Sequence, residues 1–174
     1  MSPISRTEMT HTDIQSLLQS EFGASCVPET IENATPKGLV VSVEKLQDVC
    51  LFLRDNERTF FDSLSCLTAI DNGVEANTIE VNYNLYSIPY NSQLLLRVIV
   101  ARNEEGAELP MIPTVSDVWK TAEWHEREAF DLVGIKFDGH PDLRRILLPT
   151  DWQGHPLRKD YSTQEYYHGM KVDY

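Results

Sequence analysis

Four polar residues in a row, His125-Glu126-Arg127-Glu128, and two copies of Gly-His-Pro, at 139–141 and 154–156, are where this chain could do chemistry. A carboxylate beside a histidine is the raw material of general acid–base catalysis or of metal ligation. Spacing decides against both. On a helix, adjacent side chains point about 100° apart, so His125, Glu126 and Glu128 cannot converge on one atom. His140 and His155 could also ligate a metal, but no cysteine or third histidine stands at ligand spacing. A histidine in a Gly-His-Pro turn is expected to act as a hydrogen-bonding brace. The Arg144-Arg145 pair could hold a phosphate or pair with carboxylates of another protein. Nearby Asp138, Asp142 and Asp151 argue against a dedicated anion site. The chain also lacks Gly-x-Gly-x-x-Gly, Gly-x-x-x-x-Gly-Lys, Gly-x-Ser-x-Gly and His-Glu-x-x-His, so neither a nucleotide cradle nor a familiar hydrolase centre is supported.

The elements that must position these residues are legible from periodicity. Residues 12–22 predict a short helix with Thr12 as its cap and Gly23 as its stop. Residues 38–43 predict a strand. In 44–56, Leu46, Val49, Cys50 and Leu53 recur at helical spacing. Residues 64–71 predict a strand ending in an Asp-Asn-Gly turn, and 78–88 with 92–102 an alternating hairpin whose Pro89 sits outside the ladder. A helix is expected within 115–137, capped by Ser116 and ended by Gly134, with Glu123, Arg127 and Asp131 neutralising one another along one face. The order points to an α+β fold, a mixed β-sheet with helices packed on it. Residues 1–137 are expected to form the α/β globular domain.

Composition limits function further. The net charge of −12 over 174 residues disfavours nucleic-acid binding. The charge is uneven: residues 1–119 carry 7 basic and 17 acidic side chains, residues 120–174 carry 8 and 10. Cys26, Cys50 and Cys66 are odd in number and widely spaced, which predicts buried thiols in a reducing compartment and excludes a self-ligated four-cysteine cluster. The N-terminus lacks the apolar run of a signal peptide, and no stretch is long and apolar enough to span a membrane.

Residues 138–174 form the expected extended C-terminal tail. They hold Ile146, Leu147, Leu148, Trp152, Leu157, Tyr161, Tyr166, Tyr167, Met170, Val172 and Tyr174, more apolar side chain than disordered tails carry. Pro141, Pro149 and Pro156 stiffen the path. An Arg- and Tyr-rich, proline-braced ribbon has the composition of a strap buried against another protein.

Residues 126–147 resemble the signature of a complex I family, that of its thirty-kilodalton (C) subunit. Glu126, Arg127, Glu128, Asp131, Leu132, Val133, His140, Arg144, Ile146 and Leu147 fill every specified place of that pattern. Residues 148–161 resemble its continuation, and 61–71 also look familiar. The short tail after Tyr161 departs from the family. The resemblance implies a non-catalytic structural subunit in the peripheral arm of a proton-translocating NADH:quinone oxidoreductase, on the cytoplasmic side of the membrane, touching the membrane only through the complex. It implies a chain without cofactors, with NADH, FMN, the iron–sulfur clusters and quinone held by the partners. Contact is expected chiefly with the large quinone-site subunit (D) and with the subunit (B) that carries the terminal cluster. Glu126, Arg127, Glu128 and Asp131 on the helix, and His140, Arg144, Arg145, His155, Arg158 and Lys159 on the strap, are the expected interface. Two alternatives differ in kind: the equivalent subunit of a membrane-bound energy-converting hydrogenase, and a stand-alone metal-dependent hydrolase using His125, Glu126 and His140.

Overall fold

In the computed structural model, residues 9–104 and 106–172 are described. The first eight residues, Glu105, Asp173 and Tyr174 lie outside them. A five-stranded mixed sheet is built from β1 (Glu29–Ile31), β2 (Gly38–Val40), β3 (Ser63–Asp71), β4 (Thr78–Ser87) and β5 (Ser92–Ala101), in the order β1-β2-β5-β4-β3. Only the β2–β5 pair is parallel. The β4–β5 hairpin follows its alternation closely. Ile79, Val81, Tyr83 and Leu85 share one face with Leu94, Leu96 and Val98, while Asn82 opposes Arg97 on the other.

Helices α1 (His11–Phe22), α2 (Leu46–Asp55) and α3 (Ala122–Val133) contribute to one continuous core with that apolar sheet face. Helix α2 buries Leu46, Val49, Cys50 and Leu53, the stripe that its sequence spacing predicts. Helix α1 starts one residue earlier than expected. Thr10, not Thr12, is its cap: the Thr10 hydroxyl accepts the Asp13 N–H at 3.2 Å and the Asp13 carboxylate accepts the Thr10 N–H at 2.9 Å.

The third helix departs most from expectation. Ser116 does not cap it; residues 115–119 make tight turns, with the Val118 and Trp119 amides both donating to the Val115 carbonyl. Ser116 is fully buried, and its amide donates to the Thr114 hydroxyl at 3.1 Å. A polar side chain near a helix start caps only when its oxygen is free to accept. Gly134 does end the helix, in the left-handed conformation at φ 76°. Short parallel strands β6 (Met111–Pro113) and β7 (Lys136–Asp138) then bracket α3, and a two-stranded ribbon, β8 (Tyr166–Tyr167) and β9 (Met170–Lys171), closes the described chain.

Candidate partner interface

Helix α3 is held at both ends by the two Gly-His-Pro stretches. At the first, His140 lies over the N-terminal half: Nε2 donates to the Glu123 carbonyl at 3.0 Å and Nδ1 accepts the Asp142 amide at 3.0 Å. At the second, the chain caps the C-terminal turn. The last four carbonyls of a helix have no partner within it. Here His155 Nδ1 donates to the Asp131 carbonyl at 2.9 Å, the Leu157 amide to Leu132 at 2.9 Å, and Arg158 to Val133 and Gly134 at 2.6 and 3.0 Å. Cations at this end also oppose the helix dipole. Burial comes first in pulling the His155 pKa below its ordinary value, with the Arg145 and Arg158 charges adding to it; the ring is seated as a neutral donor.

Gly134 makes this seat possible. A Cβ built there would stand 2.5 Å from His155 Cδ2, in a backbone region that side chains rarely adopt. Gly134→Ala is therefore expected to lose about 1–2 kcal/mol from the left-handed conformation alone, and more from displacing the ring. Urea unfolding, with the His155 ring signals followed by NMR, checks both parts.

Asp131 organises the strap between the two stretches. Its side chain is fully buried. Oδ2 accepts the amides of Ile146, Leu147 and Leu148 at 3.0, 2.8 and 2.9 Å, and Oδ1 accepts Arg145 Nη1 at 2.7 Å. Arg145 also donates to the carbonyls of Trp152 and Gly154, at 3.0 and 2.9 Å. Burial pulls the Asp131 pKa upward, but the three amides and the guanidinium outweigh it and leave the carboxyl below its ordinary value. The expected Glu123–Arg127–Asp131 ladder does not form: Asp131 turns inward, and Arg127 donates to the carbonyls of Arg144 and Arg145.

The tail thus departs from an extended ribbon. From Asp138 to Tyr161 its backbone is tied to this chain's own body, because helix end and strap satisfy each other's polar groups. Most of its side chains stay outside, however: the His140 ring is buried, but no residue of 138–172 is buried as a whole. Trp124 on α3 and Leu147 on the strap are 61% and 62% exposed. The Arg127 guanidinium lies 5.3 Å from the Trp124 ring centre, and Arg144, with a 69% exposed side chain, reaches only Asp142 among the described residues. Glu128 is exposed as well.

Glu126 goes the other way, into the core. Its side chain is fully buried, with the Thr114 hydroxyl 2.5 Å from Oε2 and the Val115 amide donating to Oε1 at 2.7 Å. His140 Nε2 stands 3.9 Å away. Burial pushes the Glu126 carboxyl up to about 7, against the two hydrogen bonds that lower it. The Tyr83 hydroxyl nearby is buried without a hydrogen-bond partner among the described residues, and burial followed by the Glu126 charge raises its pKa. Among the described residues no group of three His, Cys, Asp or Glu side chains could share a metal ion. His125, Glu126 and His140 therefore do not form the centre that the hydrolase alternative needs.

Two anchors went unseen in the sequence. Asp71, in the Asp-Asn-Gly turn, has a fully buried side chain; it accepts Arg102 Nε at 2.9 Å and the Lys159 amide at 2.8 Å, so it ties the end of β3, the residue after β5 and the strap together. Thr114 is the other, through Glu126.

Residues 39–167 match the family described as the 30 Kd subunit of respiratory-chain NADH dehydrogenase. The chain is similar to the C subunit of NADH-quinone oxidoreductase from Chloroherpeton thalassium, at 40% identity over 158 residues, covering 91% of this chain and 63% of that one. It is also similar to the C subunit from Chlorobium phaeobacteroides, at 39% identity, covering 91% and 92%. With the C/D subunit of Acinetobacter baylyi it shares 41% identity over 84% of this chain and 25% of that one. Among solved structures, a chain of the archaeal membrane-bound sulfane sulfur reductase has the same fold, with a TM-score of 0.68 at 21% identity, covering 87% and 85%.

Proposed function

The chain belongs to the 30 kDa subunit family of respiratory-chain NADH dehydrogenase, and on that premise we propose that it is a non-catalytic structural subunit of a proton-translocating NADH:quinone oxidoreductase. It sits in the peripheral arm on the cytoplasmic side of the membrane. There it packs against the quinone-site subunit (D), with the cluster-bearing subunit (B) nearby. NADH, FMN, iron–sulfur clusters and quinone belong to the partners. Among the described residues no helix is long and apolar enough to cross a membrane, so attachment runs through the other subunits. The relative named as a C/D subunit, which this chain matches over a quarter of its length, supports contact with the quinone-site partner.

One observation carries the reading. The strap is pinned to α3 through its backbone, yet it leaves Leu147, Leu157, Tyr166 and Met170 more than half exposed. A segment so ordered and so little buried has its conformational entropy already spent, which favours docking. Trp124 and Leu147, with Arg127 and Arg144 beside them, offer the aromatic, aliphatic and arginine anchors that dominate protein interfaces.

Arg144 is the clean probe, because among the described residues its guanidinium bonds only the exposed Asp142 carboxylate and no backbone. Arg144→Glu is expected to leave the melting temperature of the purified chain unchanged and to remove the assembled complex from native gels of membranes; reversing an interfacial charge costs about 2–5 kcal/mol. Intact complex with full NADH:quinone activity would remove Arg144 from the interface.

A further inference from the structure

Between described residues that follow β5, 102–104 and 106–109, and the strap at 153–162 lies a cavity of about 560 Å³. Ligand sites commonly have this size. Two arginines line it, and their charges are balanced differently. Arg102 has two carboxylates, Asp71 at 2.9 Å and Asp160. Arg158 hydrogen-bonds to none among the described residues. Its Nε and Nη2 meet only neutral oxygens, those of Val133, Gly134 and Asn103. The end of α3 supplies roughly half a unit of negative charge, and the Asp71 and Asp160 carboxylates act on the guanidinium only through space, without a hydrogen bond to it among the described residues. Nη1 makes no hydrogen bond within the described residues. Burial, followed by the Arg102 charge, pulls the Arg158 pKa below its ordinary value, against the opposing charges of Asp71 and Asp160.

We propose that this cavity receives an acidic side chain from a neighbouring polypeptide, with Arg158 Nη1 as the donor to its carboxylate. This deepens the assembly reading and rests on it for the identity of the neighbour. The other lining groups select the kind of anion. Glu104 and Asp160 stand on the same wall and repel a doubly charged phosphate more than a single carboxylate. Gln153, Tyr161 and Ser162 offer neutral hydrogen bonds, and Leu109 an apolar floor for the methylene stem.

The test uses the purified full chain and three probes at matched ionic strength: the blocked tripeptide acetyl-Gly-Glu-Gly-amide, its glutamine counterpart, and inorganic phosphate. Amide signals of residues 153–162 are followed by NMR. The glutamate peptide is expected to shift them saturably, with the other two probes about tenfold weaker or less, the ratio that a charge-assisted hydrogen bond provides. Arg158→Lys, which loses the planar fork, is expected to abolish the shift. Should that variant fold poorly, Ser162→Glu places a competing carboxylate at the exposed rim and is expected to weaken the peptide by a similar factor. Equal shifts with the glutamine peptide, tighter binding of phosphate, or no saturable shift would each overturn the proposal. None of these bears on the Arg144→Glu assembly result, so the two readings fail separately.

Discussion

Replacing Asp131 by Asn is expected to destabilise the purified chain by about 3–5 kcal/mol, the cost of removing one partner of a buried ion pair. The size follows from what the carboxylate does alone. It accepts three consecutive amides and one guanidinium nitrogen, and an amide group cannot accept all four. Arg145, only 15% exposed, is then left with carbonyls. The loss is local before it is global. Amides 146–148 should exchange with solvent far faster in Asp131→Asn, while the β4 and β5 amides keep their protection. If exchange at 146–148 is unchanged, the strap is held by something other than Asp131.

The pH dependence follows from the direction of the Asp131 shift. Its folded pKa lies below the ordinary 3.8, so the folded state prefers the ionised form. The stabilisation is fully present above the unfolded value and is lost as pH falls through the folded one. Asp131→Asn should therefore differ from the parent chain at neutral pH and converge with it in strong acid.

How much of this was legible in the sequence depends on the range of the interaction. The α2 stripe and the β4–β5 alternation are local patterns, set by side chains three, four or two residues apart, and they appear in the fold as expected. The reach of α3 was misjudged because Ser116 is engaged by Thr114 and buried, which its own neighbourhood cannot reveal. The charge ladder Glu123–Arg127–Asp131 failed for a similar reason. A helix-surface pair contributes only about 0.2–0.5 kcal/mol, and Asp131 gains far more by turning toward amides fifteen residues and more along the chain. Asp71 looked like an ordinary turn residue; its partner Lys159 is 88 positions away. The tail composition pointed to burial against another protein; the structure instead ties the tail's backbone to this chain's own body and leaves Leu147, Leu157, Tyr166 and Met170 exposed. Proline and glycine content speaks to the backbone path, not to which carbonyls it caps.

Glu126 provides the opposite pH signature on the same helix. Its carboxyl is pushed up from 4.5 to about 7 by burial, so the folded state prefers the neutral acid. As a neutral acid it donates from Oε2 to the Thr114 oxygen, which in turn donates to Ser116 Oγ at 2.9 Å, while Oε1 still accepts the Val115 amide. Both Glu126 oxygens and the Thr114 hydroxyl are then served. The contribution is fully present below pH 4.5, falls as pH rises, and is gone above about 7, a total of about 3 kcal/mol at about 1.4 kcal/mol per pH unit. Glutamine reproduces the neutral acid, donating to Thr114 and accepting from Val115. Glu126→Gln should thus match the parent chain near pH 4.5 and exceed its stability by about 3 kcal/mol at pH 8. Parallel stability–pH curves for parent and Glu126→Gln between pH 5 and 8 would show that the carboxyl is ionised throughout, and that burial does not govern it.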